Sequence, residues 1–368
     1  MDKLNILFIE PFYGGSHKNF TDGIIEYSSH NFDLYTLPAR YWKWRMRGAA
    51  LYFYKKIEKP ENYDLLFTSD MMSLSDLKML WGSKCPPSIV YFHENQLSYP
   101  LPEGEKMDYQ FGFTDITTAL AADRLLFNSN FHLNSFIQNM PGFIKKMPEF
   151  KPLWVVDVIK DKSSVLYPGT HYKGAAASKT DSNQIPVILW NHRWEFDKKP
   201  EIFFNILKKA DEILKDDGVE TPFNIVLLGE NFQKMPKAFI DAKEYFKERI
   251  LQYGYCKNNK DYYSFLELSD ISISTAIQEN FGISVVEAIQ AGCSPLLPNR
   301  LSYPELIPSS LHKDFIYNSD SDLLKKLINI LKTKNYPKIE SHFDKLKWKN
   351  NISCFDEFFF NFVKEITT

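Results

Sequence analysis

The sequence predicts an α/β protein built from two doubly wound domains whose parallel sheets face each other across a cleft. Three observations lead there. The chain has 368 residues, beyond the roughly 250 to 300 that one hydrophobic core usually supports. Short apolar runs alternate with helix-length amphipathic stretches, and the alternation restarts midway. Between the two series, Thr170 to Gln184 is small, polar and aperiodic, the composition of a linker. Each half is therefore Rossmann-like, with an N-terminal domain over 1–170, a C-terminal domain over 185–345 and a terminal segment over 346–368.

In the first half the strand-like runs are Leu4 to Ile9, Leu65 to Thr68, Ile89 to Phe92 and Arg124 to Asn128, the last fed by a helical stretch from Asp115 to Ala122. Continuous apolar runs of this length suit strands covered on both faces. The second half gives strands at Val187 to Trp190, Phe223 to Leu228, Ile250 to Tyr253, Ile271 to Ser274 and Ser294 to Leu297. Its helices fall at Pro200 to Leu214, Asp261 to Leu268 and Gly282 to Ala291. The aromatic-rich stretch Trp348 to Ile366 has helical spacing and is expected to pack across the domain junction.

Composition narrows the function. Hydrophobic residues make up 44% and charged residues 24%, which supplies two cores and leaves no long disordered tract. A net charge of -2 excludes a strongly basic, non-specific nucleic-acid binder, though a local basic patch stays open. The first residues enter a strand directly, without a signal-peptide pattern, and no run of about 18 apolar residues suggests a stable membrane insertion. The four cysteines lack Cys-x-x-Cys spacing, which disfavours zinc and disulfides and fits a cytoplasmic setting. No motif bears on oligomeric state.

The most informative stretch is Ser274 to Pro295. Asn280-Phe281-Gly282 breaks the loop and starts a helix, so Glu279 stands ahead of that helix and Glu287 about a turn and a half inside it. The amides of Gly282 and Ile283 at the helix mouth suit a diphosphate, Glu279 a sugar, and Glu287 the hydroxyls of a ribose. The plain alternative is a helix-entry glutamate and a surface glutamate. His192 to Lys198 follows a strand directly, and there Arg193 offers a fork and Lys198 a point charge to a leaving diphosphate. With these cations in place, no metal is expected. Gly229-Glu230 and Gly254-Tyr255 follow two further strands.

On the N-terminal side, Gly14 and Gly15 follow the first strand and let backbone amides approach a ligand closely. His93-Glu94-Asn95-Gln96 follows Ile89 to Phe92, at a strand end where α/β folds place ligands. His93 is the leading catalytic candidate; Asn95 and Gln96 accompany it. Tyr41-Trp42-Lys43-Trp44-Arg45-Met46-Arg47 interleaves aromatics with cations, the pairing that stacks on bases and meets phosphates. An amphipathic helix with buried tryptophans explains that pattern equally well. Tyr109 and Gln110 lie further along and would line an acceptor.

The Ser274 to Pro295 stretch resembles the donor signature of retaining GT-B glycosyltransferases of family 4, through Glu279-Asn280-Phe281-Gly282, Glu287, Ala288 and Gly292. Arg193 and Lys198 are similar to that family's Gly-Arg-x-x-x-x-Lys segment, with His192 where glycine is common. The resemblance implies that His93 touches the transferred sugar and that Gly229, Glu230 and Tyr255 close around ribose and base. More closely, Phe12 to Lys18, Tyr35 to Ala39, Tyr91 to Gln96 and His192 to Glu195 resemble the tRNA-queuosine α-mannosyltransferase family. That resemblance implies retaining transfer of mannose from GDP-mannose to queuosine in a tRNA anticodon. A lipid or polysaccharide acceptor, a nucleotide-sugar epimerase, or a non-catalytic protein binding tRNA or nucleotide sugar are the alternatives.

Overall fold

The computed structural model describes residues 3–101, 104, 106–174, 185–231 and 235–367. Most of the expected linker, 175–184, lies outside them. The chain forms two compact units, Met1–His171 with Leu346–Thr368, and Tyr172–Lys345.

The first unit holds strands β1 (Asn5–Tyr13), β2 (Asn31–Pro38), β3 (Leu65–Ser69), β4 (Ser88–Phe92), β5 (Arg124–Phe127) and β6 (Ser163–Val165). They form one six-stranded sheet in the order β2-β1-β3-β4-β5-β6, and every pairing is parallel. Side chains alternate between faces. Leu7, Ile9, Val90, Phe92 and Leu125 pack with Phe53, Leu77 and Phe136 on one side. Ile6, Phe8, Phe67, Tyr91 and Leu126 pack with Phe20, Ile24 and the C-terminal helix on the other. The chain leaves β1 toward β2 and returns to β3 on the opposite flank, so the connections diverge at the carboxyl ends of β1 and β3, where such sheets open a crevice.

The helix Trp348–Thr367 is an integral part of this first unit. Phe355, Phe359 and Phe362 enter its core, and Asp356 accepts hydrogen bonds from the Ser29 amide (2.9 Å) and hydroxyl (2.8 Å). Trp348 presses against two glycines: a Cβ on Gly23 would lie 2.0 Å from its Nε1, and one on Gly169 2.2 Å from its ring. Only glycine fits at either place.

The second unit holds β7 (Val187–Asn191), β8 (Asn224–Leu228), β9 (Ile250–Tyr253), β10 (Ile271–Ile273), β11 (Ser294–Pro298) and β12 (Ile316–Tyr317). The order is β12-β11-β10-β7-β8-β9, again all parallel. The helix Pro200–Asp216 starts with proline at its first position, where no amide is needed. It buries Phe203, Phe204, Leu207 and Leu214 against Ile188, Trp190 and Leu227. Here the switch in connection direction falls between β7 and β10, and it fixes where the second unit's candidate site lies.

Candidate active site

The loop from Ser274 to Gly282 leaves β10 at that switch point, beside the His192–Lys198 segment that leaves β7. The two are tied by backbone and side-chain bonds. The Ile277 amide donates to the Asp197 carbonyl (2.8 Å), the Thr275 hydroxyl to the Lys198 carbonyl (2.8 Å), and the Arg300 guanidinium to the carbonyls of Ala276 (2.9 Å) and Thr275 (3.1 Å). This bracing delivers Lys198, a buried cation, to the start of the glutamate loop. Its Nζ donates to the Gln278 carbonyl at 2.5 Å and lies 3.3 Å from both Glu279 and Asp197. Asp197 is fully buried and neither carboxylate oxygen receives a hydrogen bond, so Lys198 is its counter-charge. Arg193 is more exposed and sits 3.4 Å from Glu195.

Gly282 adopts φ 92° and caps the helix Ile283–Gln290. A side chain there would be strained and would press on Tyr303, 3.2 Å away. Asn280 and Phe281, just ahead of it, are buried. Glu287 is also buried and accepts a 2.7 Å hydrogen bond from the Tyr262 hydroxyl. Tyr262 in turn accepts from Asn191 Nδ2 (2.9 Å), which also donates to the Ser284 carbonyl (2.9 Å). The end of β7 is thereby fastened to the first turn of the helix. Burial pushes the Glu287 carboxyl up to about 7, with the Tyr262 hydrogen bond pulling the other way.

Gly229 is fixed by close approach: at φ 116°, its Cβ would stand 1.9 Å from the His192 carbonyl oxygen. Glu230 follows, its carbonyl accepting from the Trp194 amide (3.0 Å). Burial raises the Glu230 carboxyl while Arg193 lowers it, which places these two candidates in each other's field. Gly254 has φ 109° and Tyr255 is exposed. The Lys198–Glu279 pair and the Asn191–Tyr262–Glu287 chain converge on the helix Ile283–Gln290.

In the first unit, the carboxyl ends of β1, β3 and β4 bring together Glu10, His17, Asp70 and His93. The Asp70 carboxylate accepts from the His93 amide (2.9 Å), and the His17 and His93 rings lie 4.0 Å apart. Glu10 is fully buried; its carboxylate accepts from Ser69 Oγ (3.0 Å) and lies 3.3 Å from His17 Nδ1. Burial opposes protonation of His17, but Glu10, then Asp70 and Glu94, prevail and push it up to about 9. Burial raises Asp70 to about 7 against the pull of His17. His93 is held well below the usual imidazole range by burial and by its neighbours His17 and His132. Donor atoms of Glu10, His17 and His93 lie within 4.8 Å of one another. With Glu10 favouring the proton on His17, the trio forms a polarised chain that ends at His93.

Sequence reasoning named His93 but assigned no role to Glu10, His17 or Asp70. A signal existed: Glu10 directly follows the apolar run Leu4 to Ile9, and an acid there must be buried at a strand end. Other candidates divide. Gly15 takes φ 52° in open space, whereas Gly14 is required by packing, since its Cβ would meet Ala39 at 2.4 Å. Asn95 is buried, its Oδ1 holding the turn through Leu97 (3.1 Å) and Ser98 (3.0 Å). The Gln96 amide donates to Asp115 (2.7 Å). Trp42 begins a helix, Trp42–Lys56, that is amphipathic as the alternative expected, burying Met46, Ala49, Ala50 and Phe53. Its tryptophans are not the buried part: Trp44 is exposed, with Lys43 and Arg47 beside it. Arg45 donates to the Pro38 carbonyl (3.3 Å) and Arg47 to Thr114 (3.1 Å). Tyr109 and Gln110 open the helix Tyr109–Ala121, exposed and capped by Asp108.

Residues 180–345 match the family model of glycosyl transferases group 1. Solved structures with the same fold include a glycosyltransferase from Rickettsia africae (TM-score 0.68, 16% identity, 99% of this chain and 100% of that one) and a sucrose-phosphate synthase from Thermosynechococcus elongatus (TM-score 0.72, 11% identity, 99% and 100%). Anabaena HepE, solved with UDP and glucose, is similar as well (TM-score 0.62, 13% identity, 99% and 98%). The fold is that of the GT-B glycosyltransferases, and the chain is a glycosyltransferase. Residues 5–170 match the N-terminal model of tRNA-queuosine alpha-mannosyltransferase, and the Drosophila melanogaster protein of that name is 38% identical over 339 residues, spanning 89% of this chain and 87% of its own length. The chain belongs to the tRNA-queuosine α-mannosyltransferase family.

Proposed function

We propose that this protein transfers mannose from GDP-mannose to the cyclopentene hydroxyl of queuosine in a tRNA anticodon, with retention of configuration. Family membership and the name of the Drosophila relative support the acceptor and the sugar; HepE, solved with UDP, supports a nucleotide-bound donor. The observation that carries the donor half is the buried Lys198 beside Glu279, set ahead of a glycine-capped helix that holds Glu287.

In this mechanism the bond between the sugar's C1 and the diphosphate oxygen breaks as the acceptor oxygen bonds to C1 on the same face. The acceptor proton passes to the departing diphosphate. Arg193, Lys198 and the helix mouth stabilise the charge that develops there, which is the usual largest contribution of such sites. Glu279 and His93 orient the sugar, and Glu287 accepts from the ribose hydroxyls. Gly229, Glu230 and Tyr255 line the nucleotide, with Asn280, Phe281 and Ile283 shaping the helix mouth. Gly14 and Gly15 bring backbone amides toward the donor. Trp42, Lys43, Trp44, Arg45, Arg47, Asn95, Gln96, Tyr109 and Gln110 form the acceptor side.

Incubation with queuosine-containing and queuosine-free tRNA and a panel of labelled nucleotide sugars tests the proposal. Label from GDP-mannose should enter the queuosine-containing pool alone; label in neither pool overturns it. Glu287 adds a pH signature. Its carboxyl, raised to about 7, accepts from ribose more strongly when ionised. GDP affinity measured by calorimetry should therefore weaken as pH falls from about 8 to 6, and Glu287→Gln should flatten that profile.

A further inference from the structure

Two exposed aromatic residues of the first unit sit in a backbone conformation that aromatic side chains avoid. Tyr41 has φ 57° and Phe150 φ 49°, in the left-handed region that costs an L-residue steric energy. Both rings stay largely in solvent, Tyr41 69% exposed and Phe150 88%, with the Arg40 guanidinium 5.8 Å over the Tyr41 ring. Tyr41 opens the Trp42–Lys56 helix, already placed on the acceptor side. Phe150 belongs to a different segment, Lys145 to Trp154, which contains Lys145, Lys146 and Lys151 against one acid, Glu149. Trp154, 61% exposed, closes it.

The two segments are joined by contacts within the unit. The Trp42 ring packs on Phe111 at 5.0 Å, with Lys43 over both rings. Phe111 lies on the same helix as Tyr109, and Lys146 stands 5.8 Å over the Tyr109 ring. Tyr109 in turn packs 5.8 Å from Phe143, at the end of the helix that leads into Lys145. Cations alternate with rings along this whole path. Exposed aromatics alone would suit many partners. Aromatics interleaved with lysines match a strand that presents flat bases and a phosphate at each step.

We infer that Phe150, Trp154 and the lysines at 145, 146 and 151 form a second RNA-binding strip, which holds acceptor RNA flanking the modified nucleotide by stacking and phosphate contact. The inference rests on the RNA-acceptor reading above but is separable from it. The strip supplies affinity and not chemistry, because none of its residues belongs to the clusters at the strand ends.

Mobility-shift titration of the full chain with queuosine-containing tRNA, repeated across salt concentrations, tests it. The double variant Phe150→Ala/Trp154→Ala should bind about tenfold or more weakly. Lys146→Ala/Lys151→Ala should reduce the slope of log affinity against log salt by about 2. All four side chains are exposed, and unchanged melting temperatures verify that the variants fold. Wild-type affinity and slope in both variants overturn the strip while leaving the enzyme reading intact. Failure of the wild-type protein to bind tRNA at all overturns both. A parallel co-sedimentation with phosphatidylserine vesicles separates the remaining surface chemistry: vesicle binding lost in the variants while tRNA binding is retained overturns the RNA assignment.

Discussion

Replacing Lys198 with alanine should lower turnover by about 10²- to 10³-fold, the effect of removing one preorganised donor from a developing oxyanion. The same change should destabilise the second unit. Lys198 is buried between Asp197, which has no hydrogen-bond donor, and Glu279, each 3.3 Å away. Breaking a buried pair by deleting one member strands the other charge, at a cost of roughly 3–5 kcal/mol. Two measurements separate the effects. Urea melts read the stability loss, and steady-state kinetics at a temperature where the variant stays folded reads the catalytic one. Asp197→Asn/Lys198→Ala should recover part of the stability and none of the turnover. A Lys198→Ala enzyme with wild-type turnover would remove this residue from the mechanism.

The second large effect is a pH dependence in the first unit. The pKa of His17 in the folded protein is raised to about 9, from 6.5. A cation whose folded pKa is raised contributes its full stabilisation below the unfolded value. That contribution, on the order of 3 kcal/mol, is lost as pH climbs from about 6.5 through about 9. Glu10 is the principal group that raises it, so Glu10→Gln should be less stable than wild type at pH 6 and should approach it near pH 9.5. Urea melts at both pH values test this; parallel curves for the two proteins would sink the Glu10–His17 pairing. Because the His17 ring lies 4.0 Å from His93, the same titration should change sugar transfer as well.

Both effects show what was legible in the sequence and what was not. Strands buried on both faces, such as β3, β4 and β7, read directly from their apolar runs and end within a residue or two of where they were expected. β2 did not, because its residues are only partly buried, and β6 and β12, at three and two residues, are too short for any periodicity. The helix Tyr109–Ala121 begins six residues before the expected Asp115, since Asp108 caps a first turn that opens on exposed Tyr109 and Gln110 and holds Gly112. The glutamate–glycine–glutamate segment and the Arg193–Lys198 pair stood out because loop, helix and charge are adjacent in the chain. The Glu10–His17–Asp70 cluster did not, for the opposite reason: Glu10 alone left a trace, as an acid continuing an apolar run, and Asp70 reaches it only when β1 and β3 pair, as Ile9 does with Thr68.

The course of the chain has a practical corollary for protein engineering. The second unit is strung between His171 and Leu346, with both of its ends belonging to the first. The first unit therefore cannot be obtained by stopping expression at the linker: such a fragment would lack Trp348 and three core phenylalanines and would expose Gly23 and Gly169 as an empty socket. Grafting a different second unit onto this scaffold requires two splice points, and any frameshift or stop codon late in the reading frame injures the beginning of the protein.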